Sequence, residues 1–420
     1  LFCALNSGKD GILILTSLAL ILLLGFFGSA VAQRLHLPGL LGMLLAGILL
    51  GPSQLNLLSP SMLSISADLR QLALIVILTR AGLSLDLADL KRVGRPALLM
   101  CFVPACFEIF GMVLLAPWLL GISTLDAAIM GAVVAAVSPA VIVPRMIRLM
   151  DEGWGTEKRI PQLILAGASV DDVFVIVLFT AFIGMAQGGS FSPAALLSVP
   201  AAIALGLAAG LGLGTGLARW LDRPAPRLPV QVLLLLSLAF LLVEGEHRLE
   251  GLIPFSGLLA VMGTGIGLQR RSKECAKALS GAFSTLWVGT EVILFVLVGA
   301  EVDVRYAASA GAMAVITVLG ALCFRAAGVC LCLPGAGFSP REKLFCILSY
   351  LPKATVQAAI GGVPLAMGLG CGEIVLTVAV IAILVTAPLG ALGIDWSYRT
   401  LLARNGVSDA QEELPPEPTR

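Results

Sequence analysis

Charge is what this chain has least of. Only 13% of its 420 residues are Asp, Glu, Lys or Arg, 6% are aromatic, two are histidine, and the mean hydropathy is +0.99. A soluble domain of ordinary make-up carries about twice that share of charge, so the composition excludes one and points to a polytopic membrane protein. A nucleic-acid partner is excluded as well, because the net charge is +1 and the Lys and Arg residues sit in short loops and build no basic face. Cysteine is present but unpaired in pattern. The nine cysteines are an odd number scattered through apolar stretches, and the one close pair, Cys330 and Cys332, has neither metal-ligand spacing nor a histidine nearby. They read as small buried residues, with no disulfide framework and no cofactor expected.

What the chain has in quantity is apolar sequence. Windows of about 20 residues give thirteen candidate spans, near 11–31, 39–51, 70–87, 96–115, 125–147, 161–186, 194–218, 228–243, 251–268, 281–299, 307–330, 343–366 and 373–393. The second is short and bounded by Pro38-Gly39 and Gly51-Pro52, which suits a tilted or protein-buried segment. Residues 1–10 form an N-terminal segment, 11–395 the membrane domain and 396–420 a polar, partly disordered tail. The chain opens on Leu1 rather than methionine, so a preceding piece is expected; the first apolar run is too long, and lacks the small-residue site, for a cleavable signal peptide. Alternate loops hold twenty Lys and Arg on one side against Lys9, Arg70, Arg248 and Arg305 on the other. The positive-inside rule then puts the N-terminus outside and the C-terminus in the cytoplasm, and a miscount by one span would erase the asymmetry.

Five charged residues and two prolines stand out inside these spans. Asp171 and Asp172 are adjacent in the middle of the sixth. A carboxylate at bilayer depth costs roughly 2.5 kcal/mol or more and is found where ions or protons travel. Neighbouring residues on a helix point about 100° apart, so the two can face different partners. The fifth span is interrupted at Ser138-Pro139 and the twelfth at Pro352-Lys353, both at mid-depth. Each interrupted span follows one with a charged residue, Glu108 or Arg325, and precedes one with a polar site, Asp171-Asp172 or Thr386. Spans four to six and eleven to thirteen thus read as two copies of one unit in opposite orientation, the arrangement that puts an ion site where two broken helices cross. Lys353 is placed to compensate the negative C-terminal ends of the half-helices.

The runs LLGMLLAG around 41–47, RAGLSLDL (80–87), GAVVAAVSPAVIVP (131–144), GASVDD (167–172), VGAEV (298–302), LPKATVQAAIG (351–361) and ILVTAPLGA (383–391) resemble the monovalent cation:proton antiporter superfamily, and within it the NHA-type sodium/proton exchangers, subfamily B of solute-carrier family nine. The resemblance implies an all-α fold of about thirteen transmembrane helices with inverted repeats and two discontinuous crossing helices. It implies an exchanger, not an enzyme, that trades Na+ or Li+ for H+ by alternating access. The two ions compete for Asp172, with Asp171 beside it and Lys353, Ser138 and Thr355 in support. It also implies a homodimer in a plasma or cell inner membrane. Glu108 and Arg325 resemble a buried ion pair; electrogenic bacterial members carry a lysine where this chain has Arg325, and arginine keeps its proton, so the position stabilises and does not shuttle. Glu291 is a second departure, a charged residue where relatives have an uncharged polar one; it is either a further protonatable site or a neutral, hydrogen-bonded side chain. Arg80 reads as a snorkelling residue or a partner of a helix end.

Three rival readings differ from this one on physical grounds. An intramembrane aspartyl protease needs two carboxylates converging on one water, which adjacent residues of one helix cannot do. A cation channel needs a continuous lined pore, whereas paired half-helices surround a single charged site here. A K+/H+ antiporter of the same fold differs only in coordination geometry and is the alternative to Na+ or Li+ exchange.

Overall fold

The computed structural model describes residues 14–84, 94–187, 193–221, 226–249 and 253–404. The expected N-terminal segment 1–10 and the tail from 405 onward lie outside the described residues. Among the described residues eighteen helices follow one another: α1 (Ile14–Arg34), α2 (Gly39–Leu50), α3 (Pro60–Ser64), α4 (Ser66–Ser84), α5 (Arg95–Met100), α6 (Val103–Leu120), α7 (Thr124–Ala135), α8 (Pro139–Asp151), α9 (Ile160–Ala186), α10 (Pro193–Leu221), α11 (Leu228–Leu249), α12 (Gly257–Arg271), α13 (Lys273–Ala300), α14 (Val304–Cys332), α15 (Pro340–Ser349), α16 (Thr355–Ile360), α17 (Val363–Ala366) and α18 (Gly372–Leu401). Among the described residues nine helical stretches are long and apolar enough to cross a membrane. The windows 39–51, 70–87, 251–268 and 343–366 hold helices that are shorter, more charged or interrupted.

The helices pack in two groups. In one, α10 lies on α12, while α13 packs on α4 and α2, and α1 on α2. Backbones approach closely there: Gly28 and Gly42 face each other across α1 and α2, so a Cβ on either would strike the other's carbonyl. Small residues at such crossings let helices associate through van der Waals contact in lipid. The second group holds α5–α9 and α14–α18, with α6 against α14, α9 against α7, and α18 against α14 and α15. Depth separates the elements. Inside the protein lies 72% of the α18 window, against 22% for α1 and α11, whose outer faces present Leu23, Phe27, Leu233 and Leu241.

Both predicted interruptions occur, and each has a local cause. Helix α7 is capped by Ser123, whose hydroxyl accepts from the Asp126 N–H (3.1 Å), and it stops where Ala136 turns extended (φ −65°, ψ 142°). Pro139 then opens α8 as its first residue, where a missing N–H costs nothing. Helix α15 begins with a capping box between Ser339 and Glu342 and ends at Ser349; the chain then runs without helix through Leu351, Pro352, Lys353 and Ala354 before α16.

Candidate ion-binding site

The two breaks meet. The Ser138 N–H donates to the Pro352 carbonyl (2.8 Å), joining the linkers at their crossing. Each linker is also tied to the last helix of its own repeat, and in the same way. The Val137 N–H donates to Asp171 Oδ2 on α9 (3.0 Å), and the Lys353 N–H donates to Thr386 Oγ1 on α18 (2.9 Å). Asp171 and Thr386 hold matching posts, as the inverted-repeat reading required of these two helices.

A helix C-terminus carries unsatisfied carbonyls and a partial negative charge, and two such ends, of α7 and α15, point into the crossing. Arg325 bridges them. Its Nε donates to the Tyr350 carbonyl (2.7 Å), just beyond α15, and its Nη1 to the Ala135 carbonyl at the end of α7. The same guanidinium donates to Glu108 Oε2 (2.7 Å) and, through Nη2, to Asp171 Oδ2 (3.0 Å), and it lies over the Tyr350 ring, 5.4 Å from its centroid. Lys353 Nζ donates to Glu108 Oε2 (2.6 Å) and to the Ala135 carbonyl (3.3 Å). Glu108, Asp171, Arg325 and Lys353 are all fully buried. Four charges thus form one network of two anions and two cations in which every ion has a counter-ion, while Glu108 Oε1 and Asp171 Oδ1 accept no hydrogen bond among the described residues.

Asp172 stands outside that network. It retains 7% exposure where Asp171 has none, and its Oδ1 is buried without a hydrogen-bond partner among the described residues. Asp171, Arg325 and Lys353 are near enough for their charges to act on it. The two aspartates therefore face different surroundings, one pinned by an arginine and a backbone N–H and the other open. Ser138 is buried with its hydroxyl unpartnered among the described residues, and Thr355 is buried as the first residue of α16. Glu291 is not part of the crossing. It lies half-buried on α13, in the first helix group, where Arg80 of α4 is near enough for its charge to act on it.

Several members were not singled out from the sequence. Gln357, fully buried, donates its amide to the carbonyls of Val134 (3.1 Å) and Ala136 (2.8 Å); its polarity in the middle of an apolar run was the available signal. Tyr350 packs on Gly167 of α9, where a Cβ would run into its hydroxyl. Arg70 is a buried side chain at the start of α4, although it counts among the loop cations by sequence. It donates to Glu301 Oε2 (2.7 Å) while Ser66 donates to Oε1 (2.7 Å), and the pair sits against the backbone of Gly362, the residue that precedes α17.

Comparison with known proteins agrees with this architecture. Residues 18–398 match the family described as sodium/hydrogen exchanger, transmembrane. The chain is 34% identical to sodium/hydrogen exchanger 9B2 of Homo sapiens over 395 residues, covering 90% of this chain and 72% of that protein. It is 33% identical to human sodium/hydrogen exchanger 9B1 over 377 residues, with 85% and 71% covered. Its fold superposes on the sodium proton antiporter MjNhaP1 of Methanocaldococcus jannaschii at pH 8 with a TM-score of 0.80 and 21% identity, over 92% of this chain and 98% of that one. This chain, a multi-pass integral membrane protein, belongs to the sodium/hydrogen exchanger family.

Proposed function

We propose that the protein exchanges Na+ or Li+ for H+ by alternating access, with the two ions competing for Asp172. The observation that carries this reading is the charge balance at the crossing. Glu108 and Asp171 offset Arg325 and Lys353, and Asp172 is left as the carboxylate of the crossing that has no ion pair among the described residues. An uncompensated charge in a membrane interior is costly. One monovalent cation or one proton removes that cost, so the loaded site is neutral in either form. Such a site takes the ions one at a time and supports a one-for-one exchange, with Arg325 as a fixed counter-charge that keeps its own proton.

The inverted repeats around the crossing supply the moving body and the group formed by α1, α2, α4 and α10–α13 the frame against which it moves. Thirteen crossings, an outside N-terminus and a cytoplasmic C-terminus follow from the loop charges, and the membrane is a plasma or cell inner membrane. The functional unit is a homodimer bounded by lipid. Ser138 supports the site from the first linker and Thr355 from the start of α16, and Glu291 with Arg80 acts outside it.

The test uses the purified chain in proteoliposomes holding a pH-sensitive dye. After an acid interior is imposed, external Na+ or Li+ discharges the gradient, and collapsing the membrane potential with valinomycin and K+ leaves the rate unchanged. Discharge by K+ alone overturns the sodium assignment in favour of K+/H+ exchange. A potential-dependent rate overturns the one-for-one charge balance.

A further inference from the structure

The carbonyls at the end of a broken helix are natural cation ligands, because they point out of the helix with no partner of their own. At the end of α7 three successive ones, on Val134, Ala135 and Ala136, meet the crossing. None is free. Arg325 and Lys353 donate to Ala135, and the amide nitrogen of Gln357 donates to both Val134 (3.1 Å) and Ala136 (2.8 Å). The donors all come from the second repeat, so the end of α7 is closed by side chains of its inverted counterpart. Gln357 is the only uncharged one of the three. Its nitrogen is fixed in place, since turning the amide over would set its oxygen against two carbonyl oxygens. That oxygen is buried and without a partner among the described residues.

We propose that Gln357 is a specificity-determining residue of the exchange: its amide occupies the Val134 and Ala136 carbonyls and withholds them from the transported cation, so that selection rests on the carboxylate of Asp172. The inference builds on the exchange reading above. A compact anionic ligand favours small cations such as Li+ and Na+, whereas a row of carbonyl dipoles presents a weaker field that suits the larger K+. Gln357 does not touch the cation in this account; it decides which oxygens can.

Gln357→Met keeps the length of the side chain and removes both donors. In proteoliposomes, rates are measured for the native and variant chains with Na+, Li+ and K+, and the K+/Na+ rate ratio is the readout. The ratio is expected to rise by about five-fold, the scale of one exchanged hydrogen bond, and the KM for Na+ to change with it. If Gln357 only braces the fold, all three rates fall in proportion and the ratio stays put, which overturns the proposal. Should the Met variant fail to assemble, Gln357→Asn carries the test: it keeps the amide but is one methylene too short to reach both carbonyls. A raised ratio in the assembled Asn variant supports the proposal, and a native ratio with native KM overturns it. The native chain separates the two levels of argument. If it exchanges and the variants keep its ratio, Gln357 alone is wrongly assigned; if it moves no protons with any cation, the exchange reading falls and takes this inference with it.

Discussion

Glu108→Gln removes one charge from the four-ion network while keeping the shape of the side chain. In the native protein Glu108 Oε2 receives both Arg325 Nη1 at 2.7 Å and Lys353 Nζ at 2.6 Å, and none of the three side chains is exposed. Arg325 keeps Asp171 and two carbonyls after the change, so the stranded ion is Lys353, whose remaining acceptor is the Ala135 carbonyl at 3.3 Å. Removing one partner of a buried pair costs about 3–5 kcal/mol. The single variant should therefore melt well below the native protein when followed by size-exclusion chromatography of the heated, solubilised chain. The double variant Glu108→Gln/Lys353→Met removes both ions of the pair and should recover stability relative to the sum of the singles, with a coupling of about 1–3 kcal/mol. Function should change as well. With Glu108 neutral, two cations face Asp171 and Asp172, the site is already balanced, and the KM for Na+ should rise. A Glu108→Gln chain with native melting and native KM would refute the network as the holder of the crossing.

Three further outcomes are expected. Gly167→Ala sets a methyl against the Tyr350 hydroxyl and Met100 Cβ one turn before Asp171; it should cost about 1–3 kcal/mol by overpacking and slow exchange, and adding Tyr350→Phe should restore both melting and rate. Gly362→Ala drives a methyl into Arg70 Nη1 and Glu301 Oε2, which should disturb that buried pair and lower turnover more than it raises the KM in the same liposome assay. At the start of α15, outside the apolar stretch, burial pushes the Glu342 carboxyl up, but hydrogen bonds from Lys158 (2.8 Å) and from Ser339 outweigh it and hold the group below its usual 4.5. Stability from this group is full above that value and is lost as pH falls through the lower folded one, so Glu342→Gln should flatten the acid limb of a melting-versus-pH curve below about pH 4.5.

The breaks at Pro139 and Pro352 and the paired aspartates were legible because proline and charge are conspicuous in apolar sequence, where each has few physical excuses. The divergence of Asp171 from Asp172 was legible too, from helix geometry alone. Glu108 and Arg325 were recognisable as partners, but not Arg325 as the bridge between two helix ends, since Tyr350 and Ala135 meet it only through folding. Gln357 escaped because a single neutral amide in an apolar run has no distinctive signature until the carbonyls it serves are seen. Arg70 reads as a loop cation by sequence because a window in hydropathy cannot see Glu301, 231 residues away. Spans with charge at their edges, such as 70–87, and short ones, such as 39–51, blur for the same reason: burial in protein replaces burial in lipid, and hydropathy does not tell the two apart.

The most direct test of the account is a comparison of Asp172→Asn with Asp171→Asn by sodium-22 binding and by Na+-driven proton movement. The account predicts that Asp172→Asn assembles and melts near the native temperature, because that carboxylate has no ion pair to lose among the described residues, yet binds no Na+ and moves no protons. Asp171→Asn, which strips Arg325 and the Val137 N–H of their anion, should instead lose stability. Native Na+ binding and exchange by the Asp172→Asn chain would contradict the central claim that Na+ and H+ compete for this one carboxylate.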